Sequence, residues 1–155
     1  MARQPADPDP TEQELKQHSA LLLADAISLE EFRRRMAALA ARRLDCMRIA
    51  VWRVSEGDQG PWWRCVARWQ ADAGFDNGGD ECADIGSPAT PAIVDALLSV
   101  NGRRLGVLRC ERRDPAQPWP AREVAALRRI AAAVSLVIAR REGVVEAVPE
   151  ALGQG

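Results

Sequence analysis

The sequence predicts an α+β fold, with helices towards both ends of the chain and β-strands between them. Two apolar-rich runs flank Asn101-Gly102. Asn-Gly is the strongest short-range signal of a β-hairpin, because a type I′ turn needs positive φ at both central residues. In two further segments upstream, apolar residues recur at every second position. Segments near both ends carry apolar residues at helical spacing. Strands in the middle and helices outside them are therefore expected.

Two helices are expected before the strands. The first should run from Thr11 to about Ala26, because Thr11-x-x-Glu14 forms a capping box and apolar residues recur on one side. The second should begin at Ser28-x-x-Glu31, a second capping box, and its apolar residues keep helical spacing as far as Leu44. The arginines that lie between these apolar residues in the second helix are expected to face solvent.

Four strands are expected, and a loop separates the first pair from the second. Their ranges are 46–54, 62–71, 92–100 and 103–111. Residues 72–91 are rich in Gly, Pro and acids, which indicates a long loop with at most one short helical or strand turn. Alternation gives each strand one apolar face. Those apolar faces include Ile49 and Val51; Trp63, Cys65, Ala67 and Trp69; Val94, Ala96, Leu98 and Val100; and Gly106, Leu108 and Cys110.

The last helix is expected to begin at Pro120 and to end at about Glu142, before Gly143. From Ile130 to Ala139 its only polar residue is Ser135. A helix that is apolar nearly all round must be covered on more than one side. One side can pack on the sheet, and the other needs the N-terminal helices, a second subunit or both. The residues predicted for a homodimer interface are Ile130, Ala133, Val137 and Ile138.

Composition excludes some classes of partner. The 155 residues include 21 basic and 22 acidic ones, so the balance of charge gives no reason to expect binding to nucleic acid or to an anionic membrane. Length predicts one domain, at residues 11–143 with its core at 28–142, between an N-terminal tail at 1–10 and a C-terminal tail at 144–155. The start of the chain does not look like a signal peptide and the apolar runs are too short to span a bilayer, so a cytoplasmic location is expected.

The cysteines and the histidine favour neither a metal nor a catalytic dyad. The four cysteines form no C-x-x-C pair, and the single histidine, His18, lies far from them in sequence. No metal and no cofactor is therefore expected. Three of the cysteines fall in or beside strands and are interpreted as core residues, whereas Cys82 lies in the polar loop and is the one candidate for a reactive thiol.

The order of elements and three motifs resemble those of a GAF domain over about residues 28–142. The motifs are Asp95-Ala96-Leu97-Leu98 in the third strand, Asn101-Gly102 followed by Leu105-Gly106-Val107-Leu108, and Trp119 with Glu123 at the start of the last helix. The resemblance implies an antiparallel sheet with the N- and C-terminal helices packed on one face. It also implies a regulatory or dimerisation module of bacterial signalling proteins, in which the other sheet face often holds a small ligand under the loop at 72–91. Here that loop is short for the family, and the bilin-type Cys-His pair is absent.

The mixed strand faces hold the candidate ligand residues. These are Trp52, Arg64, Arg68, Asp95 and Arg109, with Arg48 beside them. One interpretation is a partly solvated face with Arg–Asp cross-strand pairs. The other is a pocket in which an aromatic wall and arginines clamp an anionic small molecule. The loop at 72–91, which would cover such a pocket, is short, and this favours the first interpretation.

Two functional hypotheses follow. The first is a non-enzymatic, homodimeric regulatory module with a signalling partner protein and possible small-molecule binding on the sheet face. The alternative is a thiol-based redox sensor, or an enzyme similar to the GAF-like methionine sulfoxide reductases, centred on Cys82. That activity in the resembling group uses several loop cysteines, and Cys82 is the one cysteine in this loop.

Overall fold

A computed structural model describes residues 10–143 as three helices and a six-stranded sheet. The tails predicted at 1–10 and 144–155 therefore lie almost wholly outside the described residues, and the domain boundaries stay predictions. The elements in chain order are α1 (Pro10–Leu23), α2 (Leu29–Arg43), β1 (Arg48–Gly57), β2 (Gly60–Gln70), β3 (Gly74–Asp76), β4 (Glu81–Cys82), β5 (Ile93–Val100), β6 (Arg103–Glu111) and α3 (Ala121–Arg141).

The sheet is antiparallel, in the order β3-β2-β1-β6-β5, and β4 pairs with β2 beyond the end of β3. The central hairpin is confirmed, because β5 and β6 pair across a turn in which Asn101 has φ 52° and Gly102 has φ 79°. Both values lie in the left-handed region that a type I′ turn requires. The turn thus sets the register of the two strands that carry Asp95 and Arg109.

The helices cover one face of the sheet, which confirms the predicted α+β architecture. α2 packs on β1 and β2, α3 packs on β5, and α1 packs against α2 and α3 as an outer layer. The main core lies between the sheet and α2 and α3, where Phe32, Ile49 and Leu127 are fully buried. α3 is also tied to the edge strand, because the buried Ser135 hydroxyl accepts a hydrogen bond from the Ser99 N–H at 3.0 Å.

The ends of the helices match the predictions closely, except in α1, which ends at Leu23 and not at about Ala26. The Ser28 side chain accepts a hydrogen bond from the Glu31 N–H at 3.0 Å, as a capping box requires. α1 begins at Pro10, however, so Thr11 lies inside the helix and is not its N-cap. Trp119 is buried at the start of α3, where its indole N–H donates to the Ala92 carbonyl at 2.6 Å.

The loop at 72–91 contains more pairing than expected. It forms two short strands, β3 and β4, where the sequence predicts at most one short turn. Gly78 has φ 64°, and a Cβ there would stand 2.6 Å from the Cys65 sulfur. The backbone also joins this loop to β2, because the Cys65 N–H donates to Asp80 and its carbonyl accepts from Gly79. The sequence pattern of the loop could not predict these contacts, because they are made with a distant strand.

Two bulges change which face several residues occupy. Val51 pairs with Ala67 but Trp52 pairs with Cys65, so Val66 is an extra residue in β2. From Cys65 back to the start of β2, every side chain therefore lies on the face opposite to the one that simple alternation predicts. Trp63 and Cys65 are thus on the face away from the helices, and their predicted position beneath the helices is wrong. Trp69, which follows the bulge, packs against the main core as predicted.

The second bulge, in β6, places a residue on the face that packs under the helices. Leu98 pairs with Gly106 and Ser99 with Arg104, which leaves Leu105 as the extra residue. Leu105 is buried in the main core instead of lying on the mixed face where alternation places it.

Candidate functional site

The sheet face turned away from the helices, called here the outer face, carries most of the predicted ligand residues. Cross-strand partners share a face, so the strand register assigns its members. They are Arg48, Ala50, Trp52 and Val54 of β1; Trp63, Cys65, Arg68 and Gln70 of β2; Asp76 of β3; Cys82 of β4; Ile93, Asp95, Leu97 and Ser99 of β5; and Arg104, Val107, Arg109 and Glu111 of β6.

The outer face brings together Trp52, Arg68, Asp95 and Arg109 but not Arg64. The bulge at Val66 places Arg64 opposite Arg53, on the other face of the sheet. There its guanidinium lies 3.6 Å from Glu81. The predicted five-residue cluster is therefore wrong for Arg64, because sequence alternation cannot register an inserted residue.

Arg109 is held by four oxygen atoms. Its Nε donates to Asp95 Oδ1 at 2.7 Å and its Nη2 donates to Asp95 Oδ2 at 2.8 Å, a two-pronged ion pair between adjacent strands. The same guanidinium donates to the carbonyl of Ile85 at 3.3 Å and to that of Gly86 at 2.6 Å. The Asp95 carboxylate raises the pKa of Arg109. Arg109 thus anchors the loop after β4 across the sheet.

Arg68 is engaged in the same way at the other end of the outer face. Its Nε donates to Asp76 at 3.1 Å and its Nη1 donates to Asp80 at 3.2 Å. Burial alone would raise the pKa of Asp76, but the Gly78 N–H and the Arg68 guanidinium stabilise the carboxylate and lower the pKa below its ordinary value. The two predicted ligand arginines that lie on the outer face, Arg68 and Arg109, are therefore occupied by acids of this chain.

The middle of the outer face is apolar. Val54, Trp63 and Val107 form a buried cluster, and Trp52, Cys82 and Ile85 pack against it. The guanidinium of Arg104 lies 5.7 Å from the centre of the Trp63 ring. Ile85 belongs to the loop that Arg109 holds, so the loop covers part of this cluster. Sequence reasoning missed Ile85 and Gly86, because the Gly86 carbonyl carries no side-chain signal.

The geometry of the outer face fits the first interpretation better than the second. Arg68 and Arg109 form Arg–Asp pairs, and the loop that carries Ile85 lies over part of the aromatic wall. A ligand of Arg109 would have to replace the two loop carbonyls or compete with Asp95. In this conformation the guanidinium groups of Arg68 and Arg109 are therefore not free to bind an anion.

Cys82, the candidate redox residue, is half-buried in the apolar cluster and lies opposite Trp63. All four cysteines are free thiols. Burial raises the pKa of the Cys65 thiol, which disfavours the reactive thiolate. No group of three or more His, Cys, Asp or Glu side chains within residues 10–143 is placed to hold a metal ion.

A groove of about 560 Å³ lies on the other side of the molecule, between α1 and α3. We call it the α1–α3 groove. Its residues are Thr11, Glu12, Leu15, Lys16, Ser19, Ala20 and Leu23 of α1; Arg43 at the end of α2; and Ala126, Arg129, Ile130, Ala133, Leu136, Val137 and Arg140 of α3. Its floor is apolar, and basic side chains stand around it. Leu136 is 55 % exposed and Leu23 is 41 % exposed, so the groove presents open apolar surface beside α3.

The predicted interface residues divide between this groove and the core. Ala133 and Val137 are half-buried in the groove wall, and Ile130 is buried at its base. Ile138 is buried against the sheet instead, beside Leu98 and Leu105. Its predicted place at an interface is therefore wrong, since helical spacing alone does not show which stripe of an all-apolar helix meets the sheet.

No helix within residues 10–143 has the length and apolar character that a membrane span needs. No protein-family model matches the sequence, and no curated protein matches it. Solved structures do match in three dimensions. The GAF domain of an Acinetobacter phosphoenolpyruvate-protein phosphotransferase superposes with a TM-score of 0.61 at 12% identity, covering 88% of this chain and 98% of that domain. The chain has the GAF fold.

Two further solved structures share this fold. The GAF domain of Thermosynechococcus elongatus PixJ, in its blue-light absorbing form, superposes with a TM-score of 0.56 at 14% identity, over 89% of this chain and 94% of that one. The chromophore-binding domain of the bacteriophytochrome RpBphP3 from R. palustris superposes with a TM-score of 0.61 at 12% identity. The match covers 90% of this chain and 65% of that one. At such identities the likeness establishes the GAF fold, which confirms the fold that the motifs predict.

Proposed function

We propose that this chain is a non-enzymatic sensory or regulatory module of bacterial signalling, which works in the cytoplasm as a homodimer joined through the exposed side of α1 and α3. The fold supports the general role, because the structural neighbours include a domain of a phosphotransferase and light-absorbing receptor domains from bacteria. The occupied charges of the outer face favour a binding or switching role over catalysis, since Arg68, Arg109 and their acids already neutralise each other.

The proposal of a dimer rests on the exposed apolar surface beside α3. Leu136 and Leu23 are exposed next to an apolar groove, and burial of such a surface against a second copy is favourable at roughly 25 cal/mol per Å². Symmetric homodimers bury the same patch of both subunits, so one apolar patch is sufficient for the interface.

The hydrogen bond between Ser99 and Ser135 gives a physical route between the outer face and the dimer surface. β5 carries Asp95 on the outer face, and the Ser99 N–H of the same strand donates to Ser135 of α3. A small ligand that displaces the Ile85–Gly86 loop from Arg109 would shift β5, and α3 would shift with it. A signalling partner protein would then detect the changed helices.

The test compares two exposed leucines by sedimentation and light scattering. Leu136→Glu places a charge on the proposed interface, whereas Leu97→Glu places the same charge on the outer face, where Leu97 is 52 % exposed. Wild type and Leu97→Glu are expected to be dimers and Leu136→Glu a monomer. Because both positions are exposed, neither change should unfold the chain. A monomeric wild type, or an unchanged dimer in Leu136→Glu, would show that the proposed dimer interface is wrong.

The alternative of thiol chemistry at Cys82 has weaker support. The thiol is half-buried against the apolar cluster of Val54, Trp63 and Val107, and Cys82 is the one cysteine of residues 72–91. Peroxide-dependent loss of thiols in wild type and in Cys82→Ser separates the two functions. A specific loss that disappears in Cys82→Ser would favour the redox function over the regulatory one.

A further inference from the structure

Two of the four cysteines, Cys46 and Cys110, meet at the edge of the main core. Cys110 is fully buried in β6, opposite Ile49 of β1. Cys46, which lies between α2 and β1, is half-buried and packs against the same core. The side chains of the two cysteines are hydrogen-bonded to each other. They therefore form a pair of neighbouring thiols that the proposed regulatory function does not use.

The backbone at the start of β1 explains this contact. The Met47 N–H donates to the Glu111 carbonyl at 2.8 Å, although the strand register pairs Glu111 with Arg48. Met47 and Arg48 therefore both stand opposite Glu111, as in a β-bulge, and Cys46 returns to the face of the sheet that holds Cys110. The two cysteines are then diagonal neighbours on adjacent strands, a relation in which the Cα atoms are about 7–8 Å apart.

A cavity of about 270 Å³ lies beside Cys46 at this end of the sheet. Its wall is mostly polar and includes Arg112, Arg113 and Gln117, whose N–H groups can donate to the oxygens of a small molecule. A water molecule takes up about 30 Å³ in the liquid, so the cavity has room for a small peroxide. Cys46 therefore gives the thiol pair access to such a molecule, while Cys110 stays behind it in the core.

We propose that Cys46 and Cys110 form a peroxide-reactive site, at which a hydroperoxide in this cavity converts the two thiols to a disulfide. The Cys46 sulfur attacks one oxygen of hydrogen peroxide, the O–O bond breaks, and the thiol proton leaves with the other oxygen as water. The Cys110 sulfur then attacks the sulfur of the resulting sulfenic acid, and a second water leaves with the Cys110 proton. The two thiols lose two electrons and two protons, and one peroxide molecule gains them.

The order of the two sulfurs follows from their surroundings. The hydrogen bond with Cys46 and burial raise the pKa of the Cys110 thiol well above its ordinary value, so Cys110 stays protonated. Cys46 is the sulfur beside the cavity, so the peroxide meets Cys46 first. A disulfide needs Cα atoms no more than about 7 Å apart, so the two cysteines must approach by roughly 1 Å. Cys46 has this freedom because it precedes the first residue of β1.

The site goes beyond the proposed function and leaves the dimer surface free, because neither cysteine lines the α1–α3 groove. A disulfide would tie the connection after α2 to β6 and so fix one end of α2, the helix on which α1 packs. An oxidant would in this way be one stimulus that the module detects.

Mass spectrometry of the full chain after treatment with hydrogen peroxide tests the proposal. We expect the intact chain to lose two hydrogen atoms. After the remaining thiols are alkylated in denaturant and the chain is digested without reductant, we expect a peptide pair that joins Cys46 to Cys110. Wild type in which Cys46 is oxidised without this link, or in which other cysteines or two chains are linked instead, would overturn the proposal. So would a chain that peroxide leaves unchanged.

Three variants separate the two sulfurs from the other thiols. Cys46→Ala and Cys110→Ala should each abolish the link, and in Cys110→Ala the reaction should stop at a sulfenic acid on Cys46 that dimedone traps. Cys46 is half-buried, so the result of Cys46→Ala stands even if the buried Cys110 tolerates no change. Cys82→Ala is the matched control, because Cys82 is also a half-buried free thiol but packs on the outer face, and it should leave the link unchanged.

A Cys46–Cys110 link that is kept in Cys82→Ala and lost in Cys46→Ala supports the proposal, whereas a link that depends on Cys82 would contradict it. Sedimentation of the reduced chain reports the dimer separately. Failure of the thiol site and failure of the proposed function are therefore distinguishable.

Discussion

Arg109 and Asp95 form a two-pronged ion pair across adjacent strands, at 2.7 and 2.8 Å, and the same guanidinium holds the loop at Ile85 and Gly86. The loop therefore stays on the outer face because one strand residue orients another. Asp95 is a positioning residue in this arrangement: it fixes the guanidinium plane, and that plane directs the remaining donors towards the loop carbonyls.

Removing the charge of Asp95 should destabilise the fold. Asp95→Asn leaves the Arg109 charge with two neutral carbonyls and an amide, at side-chain exposures of 19 % for Arg109 and 24 % for Asp95. A charged hydrogen bond in such a partly buried place contributes about 2 kcal/mol to the free energy of unfolding. Urea denaturation measures the loss. Asp58→Asn, on an exposed turn, is the matched control and should change the urea midpoint little. Equal effects of the two changes would show that the ion pair adds no stability.

Asp76 should make stability depend on pH in the acid range. Its pKa is lowered in the folded chain, so it contributes stability that is fully present above its ordinary value near 3.8 and is lost as the pH falls through the lower folded value. The difference in urea midpoint between wild type and Asp76→Asn should therefore be larger at about pH 6 than at about pH 3. Asp72→Asn, which removes a carboxylate that is 80 % exposed, is the matched control for the loss of one negative charge. A difference that grows on acidification would contradict the lowered pKa.

Gly106 should tolerate no side chain. A Cβ at this position would overlap the carbonyl oxygen of Trp52 in the neighbouring strand, and that oxygen belongs to backbone that cannot rotate away. Gly106→Ala is expected to cost about 3 kcal/mol of unfolding free energy or to prevent folding. At Gly57 the nearest atom to a new Cβ is 3.7 Å away and φ is ordinary, so Gly57→Ala should be nearly neutral. Thermal denaturation of both variants tests the contrast, and a stable Gly106→Ala protein would show that the two strands can separate without cost.

Local signals predicted the elements well. Asn101-Gly102, Ser28-x-x-Glu31 and the stop at Gly143 each act through the backbone of a few neighbouring residues, and each is found where the sequence places it. These signals work because the favoured φ values and cap hydrogen bonds depend on the residues themselves. The short strands β3 and β4 were not predicted, since their pairing partner, β2, is formed elsewhere in the chain.

The candidate site was predicted less completely. Alternation correctly gathered Trp52, Arg68, Asp95 and Arg109, but it could not detect the bulge that moves Arg64 to the other face. It also could not show that Ile138 meets the sheet while Val137 meets the groove, because both are apolar and adjacent on a helix that is apolar nearly all round.

The sequence by itself determined the helices, the four main strands, the central turn and the α+β class, because hydrophobic period, caps and turn residues act over short distances. Only the tertiary structure decided that Arg109 binds Asp95 and the loop carbonyls, that Trp63 lies on the outer face, and that α1 and α3 leave a basic-rimmed groove between them. Each of these depends on strand register or helix packing. One inserted residue reverses a face, and the position of a distant backbone carbonyl has no signature in the sequence.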